Sequence, residues 1–103
     1  VLFLDQNLNF VGESQISQGS PNSVDLDLHD IVIKSVRTSC TKIILTHSHP
    51  HGVLLPSSAD IASTRRAASA LNSIGIELID HIIVNEEDSY SMRTAGMLPD
   101  IWF

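Results

Sequence analysis

The chain is poor in the residues that would make its chemistry easy to guess. It has 103 residues and a single cysteine, Cys40, so no disulfide can form within these residues and they make no case for a secreted, disulfide-stapled scaffold. Basic residues are scarce. Six Lys and Arg face twelve Asp and Glu, for a formal charge of −6. Non-specific binding to nucleic acid or to an anionic membrane needs a basic surface, and this balance argues against both. No apolar run approaches the roughly 20 residues of a membrane span. No signal peptide is visible, because the first apolar stretch stops at Asp5. A cytoplasmic location is therefore expected. Val1 in place of Met is what a domain cut from a longer chain would show. What is present is 43% hydrophobic and 17% charged residues, the composition of one compact domain and not of a disordered tail.

Periodicity predicts the order ββαβαββ, an α/β or α+β arrangement with helices packed on a mixed sheet. Val1–Leu4 and Leu8–Ile16 read as a hairpin around Asp5-Gln6-Asn7, with Leu8, Phe10 and Ile16 on one face. Ser17–Ser23 is a loop rich in Ser, Gly, Pro and Asn. From about Asp25 the spacing becomes helical (Leu28, Ile31, Val32, Ser35, Val36), with Asp25 or Asp27 as cap and an end near Ser39–Thr41. Lys42–Thr46 is a buried strand and Pro50–Pro56 a loop. Ser57–Ile74 is a second helix, lined by Ile61, Thr64, Ala68 and Leu71, with Gly75 as terminator. Ile76–Val84 is apolar on alternating faces, a strand expected to be covered on both sides. A polar turn and a closing strand, Ser89–Arg93, complete the order.

His47 and His49 follow directly on the Lys42–Thr46 strand. Alternate residues of an extended chain point the same way, so both imidazoles can face one site at the strand's C-terminal end, where α/β sheets usually bind ligands. Asp60 comes eleven residues after His49, in the first turn of the second helix. Two histidines and a carboxylate make a catalytic zinc set with the fourth position left for water. Ser57-Ser58-Ala59-Asp60 is equally a capping box, with Ser57 as N-cap, and the histidines could be polar strand-end residues. A metallo-β-lactamase-type signature fails, since it needs Asp and His where the chain has His51 and Gly52.

The full spacing is His47-Ser48-His49, seven residues, Ser57, two residues, Asp60. It resembles the JAMM motif of JAB/MPN metalloproteases. Val1–Asp5, Gln18-Gly19-Ser20, Pro56–Ile61, Thr64-Arg65-Arg66, Gly75–Leu78 and Asp80–Val84 resemble the bacterial RadC-type branch, so the likeness covers essentially the whole chain. It departs where the branch usually has His-Pro-Arg-Glu (here Asp27-Leu28-His29-Asp30) and His-Asn-His-Pro-Ser-Gly (here His47-Ser48-His49-Pro50-His51-Gly52). The upstream helix-hairpin-helix region common in the branch is absent from these 103 residues.

The resemblance implies a three-layer mixed sheet flanked by helices, related to cytidine deaminases. It implies one Zn(2+) on His47, His49 and Asp60, and hydrolysis of peptide or isopeptide amide bonds. The family's motif also takes a Glu from an earlier strand, and Glu13 is the match. It would act as general base and then general acid, while Ser57 would hydrogen-bond the oxyanion. The implied partner is a peptide or protein substrate, without direct contact to nucleic acid or membrane. Two other functions share the fold: a non-catalytic, protein-binding module associated with DNA repair, and hydrolysis of a non-peptide amide or a nucleotide. The remaining residues suggest quieter roles. His51 reads as an exposed loop residue and His29 as part of a solvated helix face. Asp80 and His81 read as a structural polar pair that could also orient a ligand, and Cys40 as a buried small hydrophobe. Thr64-Arg65-Arg66 reads as a helix-surface feature. Trp102 and Phe103 would cover the domain or a neighbouring subunit of a homo-oligomer.

Overall fold

The computed structural model describes residues 1–16, 27–49 and 54–98. Its elements follow the predicted order: β1 (Leu2–Leu4), β2 (Phe10–Glu13), α1 (Leu28–Thr38), β3 (Lys42–Ser48), α2 (Ser58–Ser73), β4 (Glu77–Val84) and β5 (Ser89–Ser91). The five strands form one mixed sheet in the order β2-β1-β3-β4-β5. The β3–β4 pair is parallel, joined through α2, and every other pair is antiparallel. The expected α/β class, a mixed sheet flanked by helices, is the class observed. No helix among the described residues is long and apolar enough to cross a membrane.

One face of the sheet carries the core. Phe3, Ile43, Leu45 and Leu78 pack with Ile31 of α1 and with Ala67, Ala68 and Leu71 of α2. The small residues of α2 let that helix lie close to the strands. Cys40 is buried in the same cluster, as expected, and burial pushes its thiol pKa up. The opposite face is only half-buried at Leu2, Ile44, Ile82 and Val84, so among the described residues β4 is fully covered on one side only. An apolar strand pattern reports that both faces avoid water on average; it does not report how completely each is covered.

Other differences have local causes. β2 begins at Phe10, not Leu8, because Leu8 sits in a left-handed turn (φ 67°). Asp5 organises that turn, its carboxylate accepting from the N–H groups of Asn7 and Asn9. Leu8 and Phe10 are therefore exposed, and of the three expected face-sharers only Ile16 packs against the core. α1 starts one residue after Asp27, whose side chain accepts from Asp30 N–H at 3.1 Å. It ends at Thr38, and Val36 lies outside the buried stripe. β5 stops at Ser91, two residues early. Ser17–Ser23, Asp25, His51 and the Trp102-Phe103 end lie outside the described residues.

The end of α2 fixes where β4 begins. Gly75 N–H donates to Asn72 C=O (3.1 Å) and Ile76 N–H to Leu71 C=O (2.9 Å), the paired bonds of a Schellman cap. Gly75 takes φ 79°, which costs a residue with a Cβ roughly 1–2 kcal/mol. Leu71 and Ile76, the apolar contact that accompanies this cap, both sit in the core cluster. Gly75→Ala is expected to lower unfolding free energy by about 1–2 kcal/mol, measured by urea denaturation. An unchanged midpoint would show that the cap does not hold the α2–β4 junction.

Candidate metal centre

The parallel β3–β4 ladder builds the first half of the site. It runs two residues beyond the predicted strand, pairing His47 with Ile83 and Ser48 with Val84, and His49 N–H then donates to Val84 C=O at 2.8 Å. His47 is thus inside the strand and His49 is pinned at its end, with both rings on one side as the alternation predicts. The rings meet edge to face with centroids 4.4 Å apart. Burial is the main cause that lowers the His47 pKa; the neighbouring His49 adds to it and Asp60 partly opposes it. A neutral imidazole is the form that ligates a metal.

The N-terminus of α2 builds the other half. Ser57 Oγ accepts from Asp60 N–H at 3.0 Å, and Asp60 Oδ2 accepts from Ser57 N–H at 2.9 Å. The capping box is real. It is also no rival to a metal site, because it occupies one carboxylate oxygen and leaves the other. Asp60 is only 3% exposed, and among the described residues it has no Lys or Arg partner. A buried carboxylate ordinarily has a compensating cation. One nitrogen from each histidine and one Asp60 oxygen lie within 4.8 Å of one another, close enough for a single ion, and no fourth His, Cys, Asp or Glu among the described residues joins them. Two imidazoles and a carboxylate suit a divalent transition metal such as zinc.

Comparison with known proteins gives this geometry a family. A model of the RadC-like JAB domain matches residues 1–97. The chain belongs to the RadC-like JAB domain family. It is similar to a UPF0758 protein of Finegoldia magna, 37% identical over 92 residues that cover 89% of this chain and 41% of that protein. A UPF0758 protein of Bordetella avium is 34% identical over 97 residues (94% and 43%), and one of Pelobacter propionicus 36% over 98 residues (95% and 43%). The chain spans less than half the length of these relatives.

The RadC-like domain does not bring all the expected residues together. Ser57 lies one helical turn before Asp60, and its backbone shares hydrogen bonds with it. Glu13 is elsewhere. A Cβ on Gly12 would meet Phe3 and Thr38, on the face that carries the core. Its strand neighbour Glu13 therefore faces the other way, exposed, and its charge is felt by the Val1 ammonium. His47 shares the inner face with Ile43 and Leu45, and Glu13 is not among the residues grouped with it, His49 and Asp60.

Two further residues of the RadC-like domain adjoin the site. Thr64 is fully buried, as its place on the lining face of the helix predicts, so of Thr64-Arg65-Arg66 only Arg65 and Arg66 form the exposed surface. It lies four residues after Asp60, on the same helical face. His81, 1% exposed, stacks against His47 with centroids 6.0 Å apart and lies 2.7 Å from Thr64 Oγ1 through Nδ1. Asp80 is not its side-chain partner: the carboxylate accepts from the backbone N–H of His81 and Arg93 and from Ser91 Oγ, tying β4 to the turn after β5. The sequence signal for His81 was a histidine inside an apolar strand; the residue it would meet was not visible.

Burial lowers the His81 pKa from 6.5 to about 4. The unfolded chain therefore takes up a proton below pH 6.5 that the fold refuses. His81's contribution is intact above that pH and is lost as pH falls towards about 4. For the metal-free protein, unfolding free energies from urea denaturation are expected to fall across this window by an amount on the order of 3 kcal/mol. His81→Phe should flatten the curve, and an equally steep acid limb in that variant would contradict the assignment.

Proposed function

We propose that the RadC-like domain is a zinc-dependent hydrolase of peptide or isopeptide amide bonds. The observation that supports it is the meeting of His47, His49 and a buried Asp60 that has no Lys or Arg partner among the described residues, beside an open cleft. That cleft, about 350 Å³, is lined by Val1, Ser14, Gln15, Ile16, Leu45, Thr46, His47 and Ser48. β1 pairs with β3 only as far as Ile44, so the rest of that β3 edge borders the cleft and suits an extended peptide or protein segment. A zinc ion in such a set supplies a water with a pKa of about 7 and polarises the scissile carbonyl. Ser57 Oγ accepts from Asp60 N–H, which leaves its own proton to donate to an oxyanion. The −6 charge favours a protein substrate over direct contact with DNA. A cytoplasmic location fits the single unpaired cysteine.

The purified chain should hold about one equivalent of zinc, which His47→Ala and Asp60→Asn should remove. Cleavage of a quenched-fluorescent peptide library should stop on chelation and return with zinc. Less than about half an equivalent, unaffected by His47→Ala, would sink the proposal.

A second reading is favoured by the outward-facing Glu13: the domain keeps the ion and acts as a protein-binding module in DNA repair without turnover. Because Glu13 is exposed and outside the His47, His49 and Asp60 group, Glu13→Gln is expected to keep full zinc and, if the domain cleaves at all, to lose less than about tenfold in cleavage. General acid–base groups typically contribute roughly 100-fold or more. A loss of that size would show that the end of β2 turns Glu13 into the site. Full zinc with no cleavage of any library member favours the binding module.

A further inference from the structure

Among the described residues, two buried ring nitrogens beside the site have no hydrogen-bond partner: Nδ1 of His47 and Nε2 of His81. Their rings lie within 29° of parallel, centroids 6.0 Å apart. Hydrogen-bond direction assigns each a role. Thr64 Oγ1 is 2.7 Å from the Asp60 carbonyl oxygen and 2.7 Å from His81 Nδ1. The carbonyl can only accept, and a hydroxyl has one proton, so Thr64 donates to Asp60. His81 Nδ1 must then carry a hydrogen and donate it to Thr64. That fixes the His81 tautomer and leaves Nε2 as a buried acceptor with no donor. A His47 that ligates an ion through Nε2 has the complementary need, a buried Nδ1–H with no acceptor. Metal-bound histidines almost always give their second N–H to an acceptor, which sets ring orientation and ligand basicity.

We propose that His47 Nδ1–H donates to His81 Nε2, directly or through one bridging water, so that His81 and Thr64 link one metal ligand, His47, to the backbone of another, Asp60. The inference rests on the metal reading above. His81 and Thr64 are positioning residues: they touch neither ion nor substrate, and they fix the strand-borne and helix-borne ligands relative to each other. One chain of bonds then couples the end of β3 to the first turn of α2.

The test is metal affinity, measured by competition with a chelator for zinc and cobalt, on variants first shown to be folded by circular dichroism. Thr64→Val keeps the shape and removes the hydroxyl; it should weaken binding roughly 10–100-fold, the usual cost of losing such a partner. Thr64→Ser should restore affinity to within about threefold of wild type, which a packing role for the threonine methyl would not do. His81→Phe should lose as much as Thr64→Val. The double variant should lose little more than either, because both cut the same chain. In nitrogen-15 spectra, His81 should be the Nδ1–H tautomer with and without zinc. Thr64→Val affinity within about twofold of wild type, or an Nε2–H tautomer, overturns the inference. If His81→Phe does not fold, the Thr64 pair decides. Wild type that binds no zinc, or His47→Ala that binds as well as wild type, overturns the metal reading itself. Binding that His47→Ala abolishes and Thr64→Val leaves intact overturns only the linkage.

Discussion

Asp60 sets a carboxylate at a buried position, and the architecture around the site can be understood as the answer to that constraint. A carboxylate shielded from water needs hydrogen bonds and a compensating cation. The capping box supplies hydrogen bonding through Ser57 and aligns the carboxylate with the N-terminal turn of α2, where the helix dipole favours negative charge. One nitrogen of His47 and one of His49 lie within 4.8 Å of that carboxylate, close enough to hold one ion with it. Their strand is locked against β4 up to its last residue, so the imidazoles arrive at the helix N-terminus in a fixed orientation.

The packing beneath the site serves the same end. α2 presents Ala67, Ala68 and Leu71 to the sheet, small enough at two positions for the helix to approach β3 and β4 closely. Gly75 turns the chain immediately after the helix and sends it back as β4 in parallel register with β3. The strand that pairs with His47 is therefore placed by a cap at the far end of the helix that carries Asp60. Buried in the layer between them, the His81–Thr64 contact joins the strand side of the site to the helix side with neutral groups, adding no charge to a region that already holds one.

Much of this was legible in the residues. His47-Ser48-His49 on a β-rich run places two imidazoles on one side by pleat alone, and Ser57 to Asp60 marks a helix start by capping chemistry alone. Both are local rules with short reach, and both held. Thr64 was legible as part of the packed face of α2 from its spacing with Ala68 and Leu71, while the neighbouring Arg65 and Arg66 marked the exposed side. Glu13 was matched as the base through the family resemblance alone, not through its own pattern. β2 is a four-residue edge strand with Gly12 in its middle, so its alternation is weak, and a one-residue slip in register reverses every side chain.

The amino-acid sequence by itself determined the order of elements, the caps and the spacing of the three ligating groups, because each depends on residues close along the chain. Tertiary structure alone decided which sheet face Glu13 occupies, that one carboxylate can cap a helix and still offer an oxygen to an ion, and that His81 lies against His47. These depend on register and on packing between elements far apart along the chain. Strand pairing and burial set them, and no local pattern encodes either.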